Sequence, residues 1–453
     1  MQKSDAMTDT SSCVSSAPDS RALSAAEARD RMVAEVVPIS GREFLPVRSA
    51  LGRILAADIV APHDVPAHDN SAMDGYAVRS GDVTAAGPDT PVTLAVIGEV
   101  AAGALPDCPV QPGTAVRIMT GAPIPPGSDA VVPFEQTSEG RPRGPLPAPC
   151  TDGAGRSFGS VEVYAAVRAG DNVRKAGEDI RRGATVLTAG HVLRPQDIGI
   201  LAALGRPQVR VVRRPRVAIL ATGDELVDVD QPVTPGKIRN SNEYTALGLV
   251  ARYGGVPVPL GIARDTVEAL TAKLCAGLAQ RVDLFLTSAG VSVGDFDMVK
   301  NVLAAEGEMH FWQVAMKPGK PLAFGIVQGV PLLGLPGNPV AAMVAFEVFA
   351  RPAILKLGGH LAWEKPSVRA ILDENVRNSG RRHYMRARVR READGYHVTT
   401  RGSDVQVQGS GILSSLVWAN GLLVVPEEVT LIRAGEGVDV WMLDWPERVT
   451  VLV

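Results

Sequence analysis

Val217 to Leu220 is an unbroken apolar run, and the order of segments after it constrains the fold more than any other part of this 453-residue chain. Helical and strand patterns alternate: a helix over 242–253 ended by Gly254-Gly255, a strand over 256–262, a helix over 266–278, a strand over 283–287 and a helix from Met298. Strands near 311–316, 321–327 and 331–335 follow, then a final helix after Asn338. Strands without polar alternation are buried on both faces, and helices between them supply the cover, so the pattern predicts an α/β domain built on a parallel sheet.

The flanking regions read differently. Ser24 and Glu27 have capping-box spacing, and Met32, Val33, Val36 and Val37 form an apolar stripe, which predicts a helix over 25–37 stopped by Pro38. Ser49 predicts a second helix with Leu51, Ile54 and Leu55 on one face, followed by extended chain through Pro62 and Pro66. Short strands over 92–97, 115–119 and 130–132, separated by Pro112-Gly113 and Pro126-Gly127, make a small β-rich module. Residues 138–160, with Arg, Pro and Gly throughout, read as an excursion from it. Helical signal returns between 185 and 205, with Pro195 near its start, Ile198, Leu201 and Leu204 on one face and Gly205 as cap. After Lys365 come short strands, with Asp394-Gly395 and Asn420-Gly421 as hairpin turns, which suggests a small β-barrel. The division is a disordered tail over 1–21, a discontinuous helical and extended domain over 22–61 and 185–211, a β-rich domain over 62–184, an αβ domain over 212–360 and a barrel over 361–453.

Composition excludes several classes. A net charge of -3 without a long basic run disfavours a surface that tracks nucleic-acid phosphates, so an anionic ligand must be held locally. The four cysteines contain no CxxC pair, which argues against a zinc knuckle or a disulfide scaffold and for a reducing cytoplasm. No apolar run approaches the roughly 20 residues that span a bilayer. Neither a nucleophile elbow, a Walker A loop nor an HExxH pattern occurs, which argues against an ordinary hydrolase or P-loop NTPase.

In open parallel sheets ligands bind beyond the carboxyl ends of the strands. Thr222 to Leu226 follows the first strand and offers a hydroxyl and the carboxylates of Asp224 and Glu225; a turn with a helix cap has the same residues. Thr287 to Asp295 has the composition of a backbone nest for phosphate or a pterin-sized ring, with Ser288, Gly290, Ser292 and Gly294 as candidate contacts. Lys317 to Pro321 presents Lys317 and Lys320 on a proline-bracketed turn, although surface lysines are as a rule simply solvated. Leu335 to Pro339 places Asn338 as cap and Pro339 at the first helical position, leaving N–H groups at a dipole-positive end. Asp265 reads as another N-cap.

Outside the αβ domain, Asp69 to Tyr76 is too polar for a core strand and reads as a turn. There Gly75 takes positive φ and Asp74 projects, a geometry for gripping a cation or a plain solvated bend. The loop from Arg117 to Pro123, with Thr120, and the loop from Gly177 to Ile180, with Glu178 and Asp179, are each a turn when read alone. His63 and His68 lack metal-ligand spacing.

Six segments in sequence order, DNSAMDGYAVR, RIMTGAP, AGEDI, ATGDEL, KPGKP and LPGNP, carry a resemblance over about residues 22–453. The chain resembles the molybdopterin molybdenumtransferase (MoeA) family, to which the E-domain of gephyrin is similar. The resemblance implies insertion of molybdate into the dithiolene of adenylylated molybdopterin with release of AMP, assisted by Mg2+ or another divalent cation. It implies a homodimer assembled through the discontinuous domain, and a molybdopterin-binding-like αβ domain.

Catalytic roles would fall on Asp74, Thr120, Asp179, Glu225, Asp265 and Lys317, with Asp74 reaching across the dimer. Pro336, Pro339, Arg386 and Ser410 would join the substrate contacts, the last two near an oxyanion site. Lys317, Lys320 and Arg386 suit the oxyanions, and Asp224, Glu225 and Asp265 suit the metal. Candidate protein partners are molybdopterin adenylyltransferase and acceptor molybdoenzymes; nucleic acid and membrane are not expected. Ala289 departs from a family Gly-Gly pair, Gln313 stands where some relatives carry lysine, and the 138–160 excursion has no counterpart. The rival readings are a non-catalytic scaffold like the gephyrin branch and the paralogous adenylyltransferase.

Overall fold

The computed structural model describes residues 22–141, 150–151, 157–288, 309–402 and 408–445. Two units result, Phe44–Val211 and the flanking Met1–Glu43 with Val212–Val453. The helix expected from Met298, Ala289 and most of the 138–160 excursion lie outside the described residues.

In the unit Phe44–Val211 a five-stranded sheet has the order Ser160–Val163, Val92–Val100, Thr114–Ile118, Gly75–Val78, Ala130–Pro133. The segment read as a polar turn therefore supplies an inner strand, and all four of its residues are buried. Tyr76, Ala77 and Val78 outweigh the polar residues before them, and Ser71 is itself fully buried. Gly75 is needed for close approach and not for positive φ. A Cβ there would lie 2.0 Å from the Val132 carbonyl oxygen of the adjoining strand.

The helix expected after Ser49 is absent. A single tight turn, Val47–Ser49, is followed by Gly52 at φ 71, and Ile54 and Leu55 enter the core as extended chain bridged to Val192 and Val211. Gly52 breaks the pattern at the third residue after Ser49, and three spaced apolar residues do not sustain a helix against that. The helix Pro195–Ala203 has Pro195 in its first turn, and Gly205 follows the cap at φ 65. Its Leu201 and Leu204 pack with Leu55, Leu193 and Val211.

In the second unit the helix Ala25–Glu35 keeps both bonds of the Ser24/Glu27 capping box but stops two residues early, because Pro38 biases the chain before it to extended geometry. The central sheet has the order Val256–Ala263, Arg216–Thr222, Leu284–Ser288, Val330–Leu335, Pro321–Val327, Met309–Gln313. Its first four strands are parallel, but the last two are antiparallel to their neighbours, so the sheet is mixed. Gln328 at φ 47 and Gly329 at φ 80 form a two-residue hairpin between Pro321–Val327 and Val330–Leu335, which leaves no room for a crossover helix. Helices Ser241–Arg252 and Val267–Ala279 lie between parallel strands; Thr266, not Asp265, caps the latter by accepting from the Ala269 N–H.

The C-terminal strands close into a ring. Arg382–Glu392 pairs with Gly395–Thr399 and Gly421–Val425, and Ser367–Leu372 and Gly437–Met442 complete the circuit. Asp394-Gly395 is the expected hairpin. Asn420-Gly421 is not: it joins helix Ser414–Trp418 to a strand, and the Asn420 amide pairs with both the N–H and the carbonyl of Val389, at 2.7 and 2.9 Å.

Gly75→Ala is expected to lower stability by at least about 3 kcal/mol, since the clash is with backbone. Gly81→Ala, whose methyl meets nothing within 4 Å, should change it little. Urea unfolding of both variants checks this, and equal midpoints would contradict the packing.

Candidate active site

Thr222, Ser288 and Leu335 end three adjacent parallel strands on the same sheet edge. A cleft of about 680 Å³ opens there, and Thr222, Glu225, Ser288, Lys317, Pro336, Pro339 and Ser410 line it. Seven residues predicted from separate motifs are thus gathered into one site.

Local structure explains each position. Glu225 folds back over Gly223, where a Cβ would lie 2.6 Å from its Oε2, and Gly223 adopts φ 145. Asn242 Nδ2 donates to the Gly337 carbonyl at 2.7 Å, tying the Leu335–Pro339 loop to helix Ser241–Arg252. Pro339 opens helix Pro339–Ala345 as expected, but the Asn338 side chain makes no cap bond. Instead the Val340 N–H donates to the Ser410 carbonyl at 3.2 Å, which brings the barrel segment Gln408–Ser410 over the helix start. Lys317 stands opposite His383 in a short parallel pairing of Met316–Lys317 with the barrel strand Arg382–Glu392.

Other expected residues lie elsewhere. Lys320 is exposed and does not line the cleft. Arg386 is fully buried in the barrel: its Nη2 donates to the Gly409 carbonyl at 2.9 Å and its Nε to Ser415 Oγ at 3.2 Å. It buttresses the Gln408–Ser410 segment from within and offers no open face to an oxyanion. Burial pushes its pKa down to about 10, leaving it cationic at neutral pH. Gly290, Ser292 and Gly294 lie outside the described residues.

Asp224 and Asp265 face one another, the N–H of Asp224 donating to Asp265 Oδ2 at 3.2 Å and that of Asp265 to Asp224 Oδ1 at 3.4 Å. Asp224, Glu225 and Asp265 are nevertheless not gathered as three ligand oxygens within 4.8 Å; among the described residues only Glu392, Asp394 and His397 are. Hard-oxygen donors of this kind suit a Mg2+ held through one or two carboxylates with water and substrate phosphates, and do not make a closed cage.

In the unit Phe44–Val211 three more motifs converge. Asp74 Oδ1 accepts from the Thr120 backbone N–H at 2.7 Å and from Thr120 Oγ1 at 2.8 Å, and these bonds, with the more distant charge of Arg117, hold its pKa below the usual range. Asn70–Ser71 pairs with Val173–Arg174, and Asp69 takes the Lys175 ammonium and the Ala176 N–H, both at 2.8 Å, beside the loop carrying exposed Asp179. Arg117 is not free for a ligand: it bridges Glu99 and Glu139 at 2.8 and 2.7 Å.

Two cleft residues stand out for their polar groups, Thr222, expected from its loop, and His383, which no motif exposed. Thr222 Oγ1 is buried without a hydrogen-bond partner. His383, 5 % exposed, lines the cleft with Gln408, and desolvation with the charges of Lys317, Arg386 and Arg381 lowers its pKa to about 4. His383 stands in no motif with recognised spacing, followed by Tyr384 and Met385, and a lone strand histidine reads as core.

A ligand cleft beyond the carboxyl ends of a largely parallel sheet, walled by a closed barrel, defines a multidomain α/β enzyme architecture. Residues 23–205 match the MoeA N-terminal region (domains I and II), 218–356 the probable molybdopterin-binding domain and 369–443 the MoeA C-terminal region (domain IV). A molybdopterin molybdenumtransferase of Haemophilus influenzae is 36% identical over 91% of this chain and 97% of its own length. One from Nostoc is 39% identical over 89% of each. The crystal structure of a molybdopterin biosynthesis MoeA protein from Pyrococcus horikoshii superposes with a TM-score of 0.75 at 30% identity, covering 93% of this chain and all of that one. The chain belongs to the molybdopterin molybdenumtransferase (MoeA) family.

His383 predicts a pH dependence of folding. Its folded pKa lies below the ordinary 6.5, so the unfolded chain binds the proton more tightly. The contribution is fully present above pH 6.5 and is lost as pH falls through about 4, by at most about 3 kcal/mol. Chemical denaturation of wild type and His383→Phe between pH 7.5 and 4 should show a shallower decline in the variant.

Proposed function

We propose that this protein inserts molybdate into the dithiolene of adenylylated molybdopterin and releases AMP, as a transferase of molybdenum cofactor biosynthesis. The carrying observation is the presence of Lys317, Ser410 and the start of helix Pro339–Ala345 on one cleft. An ammonium, a hydroxyl and a dipole-positive helix end are three kinds of group that favour oxyanions, and both molybdate and the pyrophosphate linkage of the substrate are oxyanions. Ser288 and Thr222 add uncharged hydrogen-bonding groups suited to the rest of the ligand.

Asp224, Glu225 and Asp265 would hold a divalent cation, which shields the charge of the phosphoanhydride when bound. Glu225, already on the cleft, is the carboxylate best placed to orient it; Lys317 holds molybdate. Asp74, Thr120 and Asp179 complete the site as a homodimer, contributed by the partner copy, with Thr120 fixing the Asp74 carboxylate in its ionised form. The reaction fits a cytoplasmic protein that receives its substrate from an adenylyltransferase and passes its product to molybdoenzymes. Among the described residues no helix is long and apolar enough to cross a membrane.

Purified protein given adenylylated molybdopterin, molybdate and Mg2+ should release AMP, and chelation should slow the release. Lys317→Ala is expected to raise KM for molybdate about tenfold, whereas Asp74→Ala should lower kcat roughly a hundredfold. Absence of molybdate-dependent AMP release by wild type would favour a binding scaffold.

The dimer has its own test. If Asp74 acts on its partner's cleft, refolding Asp74→Ala together with Lys317→Ala restores one working site in half of the dimers, about a quarter of wild-type activity when assayed at molybdate well below KM. No recovery above the separate variants would place both residues in the same subunit's site.

A further inference from the structure

The His383 ring makes no hydrogen bond among the described residues, although the residue is 95% removed from solvent and lines the cleft. The ring nitrogens are not among the fully enclosed polar atoms that lack a partner, so what the protein leaves unpaired here is presented to the cleft, where a ligand can take it. Lys317 faces it from the paired strand, with Arg386 on its own strand and Arg381 just before that strand begins. In that cationic setting the ring stays neutral, with one N–H donor and one lone pair. The cations attract a negative ligand, but a lysine on an exposed turn gives little direction. A ring fixed in a strand gives direction without adding charge.

We propose that His383 is a substrate-binding residue of this cleft, its ring N–H donating to an oxygen of a tetrahedral oxyanion held between Lys317 and the start of helix Pro339–Ala345. Molybdate and the phosphate of adenylylated molybdopterin share this chemistry. The inference rests on reading the cleft as an oxyanion site. Lys317 supplies charge, and Ser410 closes the barrel side, held there by the bond from Val340. His383 supplies an uncharged donor held rigid in the barrel strand, opposite Lys317.

The test is calorimetric titration of wild type, His383→Gln and His383→Phe with molybdate alone and, separately, with AMP, at pH 7.5. Glutamine keeps a neutral N–H donor; phenylalanine keeps only the ring shape. His383→Phe should weaken binding at least roughly tenfold in one arm, and His383→Gln should stay within roughly threefold of wild type. Loss confined to the molybdate arm identifies molybdate as the oxyanion, and loss in the AMP arm identifies the substrate phosphate. In turnover the same variant should raise KM for the affected ligand with kcat nearly unchanged, a split that a packing role would not produce.

If circular dichroism shows that His383→Phe does not fold, His383→Leu takes its place under the same criterion. Equal affinities in both arms, or no measurable wild-type binding of either anion, would overturn the proposal. Wild type that binds molybdate through His383 but releases no AMP would retire the transferase reading and leave this assignment standing.

Discussion

Lys365 and Glu347 form an ion pair at 2.6 Å whose side chains are only 4% and 1% exposed, and the cleft depends on it. Tyr253 completes the cluster, donating its hydroxyl proton to Glu347 and receiving a bond from the Lys365 ammonium at 2.8 Å. Beside it Arg351 donates to the carbonyls of Trp363 and Glu364 at 2.7 and 3.1 Å, fixing the segment that leads into the barrel. Arg252 reaches the last barrel strand's end through Asp444 at 2.8 Å. Burial lowers the Lys365 pKa while the Glu347 charge raises it, and burial with the same charge pushes the Tyr253 hydroxyl up. A buried pair of this kind adds little net stability over an apolar core, but losing one partner strands a charge at a cost of about 3–5 kcal/mol. The cluster therefore specifies one arrangement more than it strengthens it.

That arrangement matters because of where the helix runs. Helix Pro339–Ala345 continues through a π-helical turn, Phe346–Ala350, into Arg351–Leu357. Its first residue lines the cleft, and its later turns carry Glu347 and Arg351. One continuous rod thus joins the anion-favouring helix end to the anchor of the barrel. Arg386 does the complementary work inside the barrel, holding Gly409 so that Ser410 meets Val340. His383 and Ser410 can face the loops of the αβ sheet only while both anchors hold.

The α/β alternation, the closed barrel and the gathering of the ATGDEL, KPGKP and LPGNP loops were legible because each rests on local chemistry: apolar runs, proline at a helix start, glycine at a turn. Features set by another strand were not. Gly75 looked like a turn residue since its reason, the carbonyl of Val132, is 57 positions away. The Gln328-Gly329 hairpin was missed because glutamine is an uncommon left-handed residue, and that one turn reverses a strand of the sheet. Arg386 read as a free cation because a sequence does not tell whether a guanidinium on a strand faces solvent or the barrel interior. Alternation along Arg382–Glu392 gives no guide, since five consecutive residues from His383 to Ala387 are buried.

Thr222, expected from its loop, and His383, which no motif exposed, share one property. Each is more than nine-tenths buried, and among the described residues neither the Thr222 hydroxyl nor the His383 ring has a hydrogen-bond partner. Other polar groups are closed into circuits, as Asn420 is with Val389 and Asp197 with Arg194 and His191, while atoms such as Asn70 Oδ1 and Ser160 Oγ stay unpaired away from the cleft. For an enclosed hydroxyl such as that of Thr222, the missing bond is a cost borne by the empty protein and recovered when a ligand supplies the acceptor, which favours the bound state over the free one. Charge alone would not do this. Lys317 is solvated in the absence of ligand and loses that water on binding, whereas a buried neutral donor has little hydration left to lose. If the cleft holds an oxyanion as proposed, selectivity for its geometry, in a chain whose net charge is -3, rests on direction as much as on the few local cations.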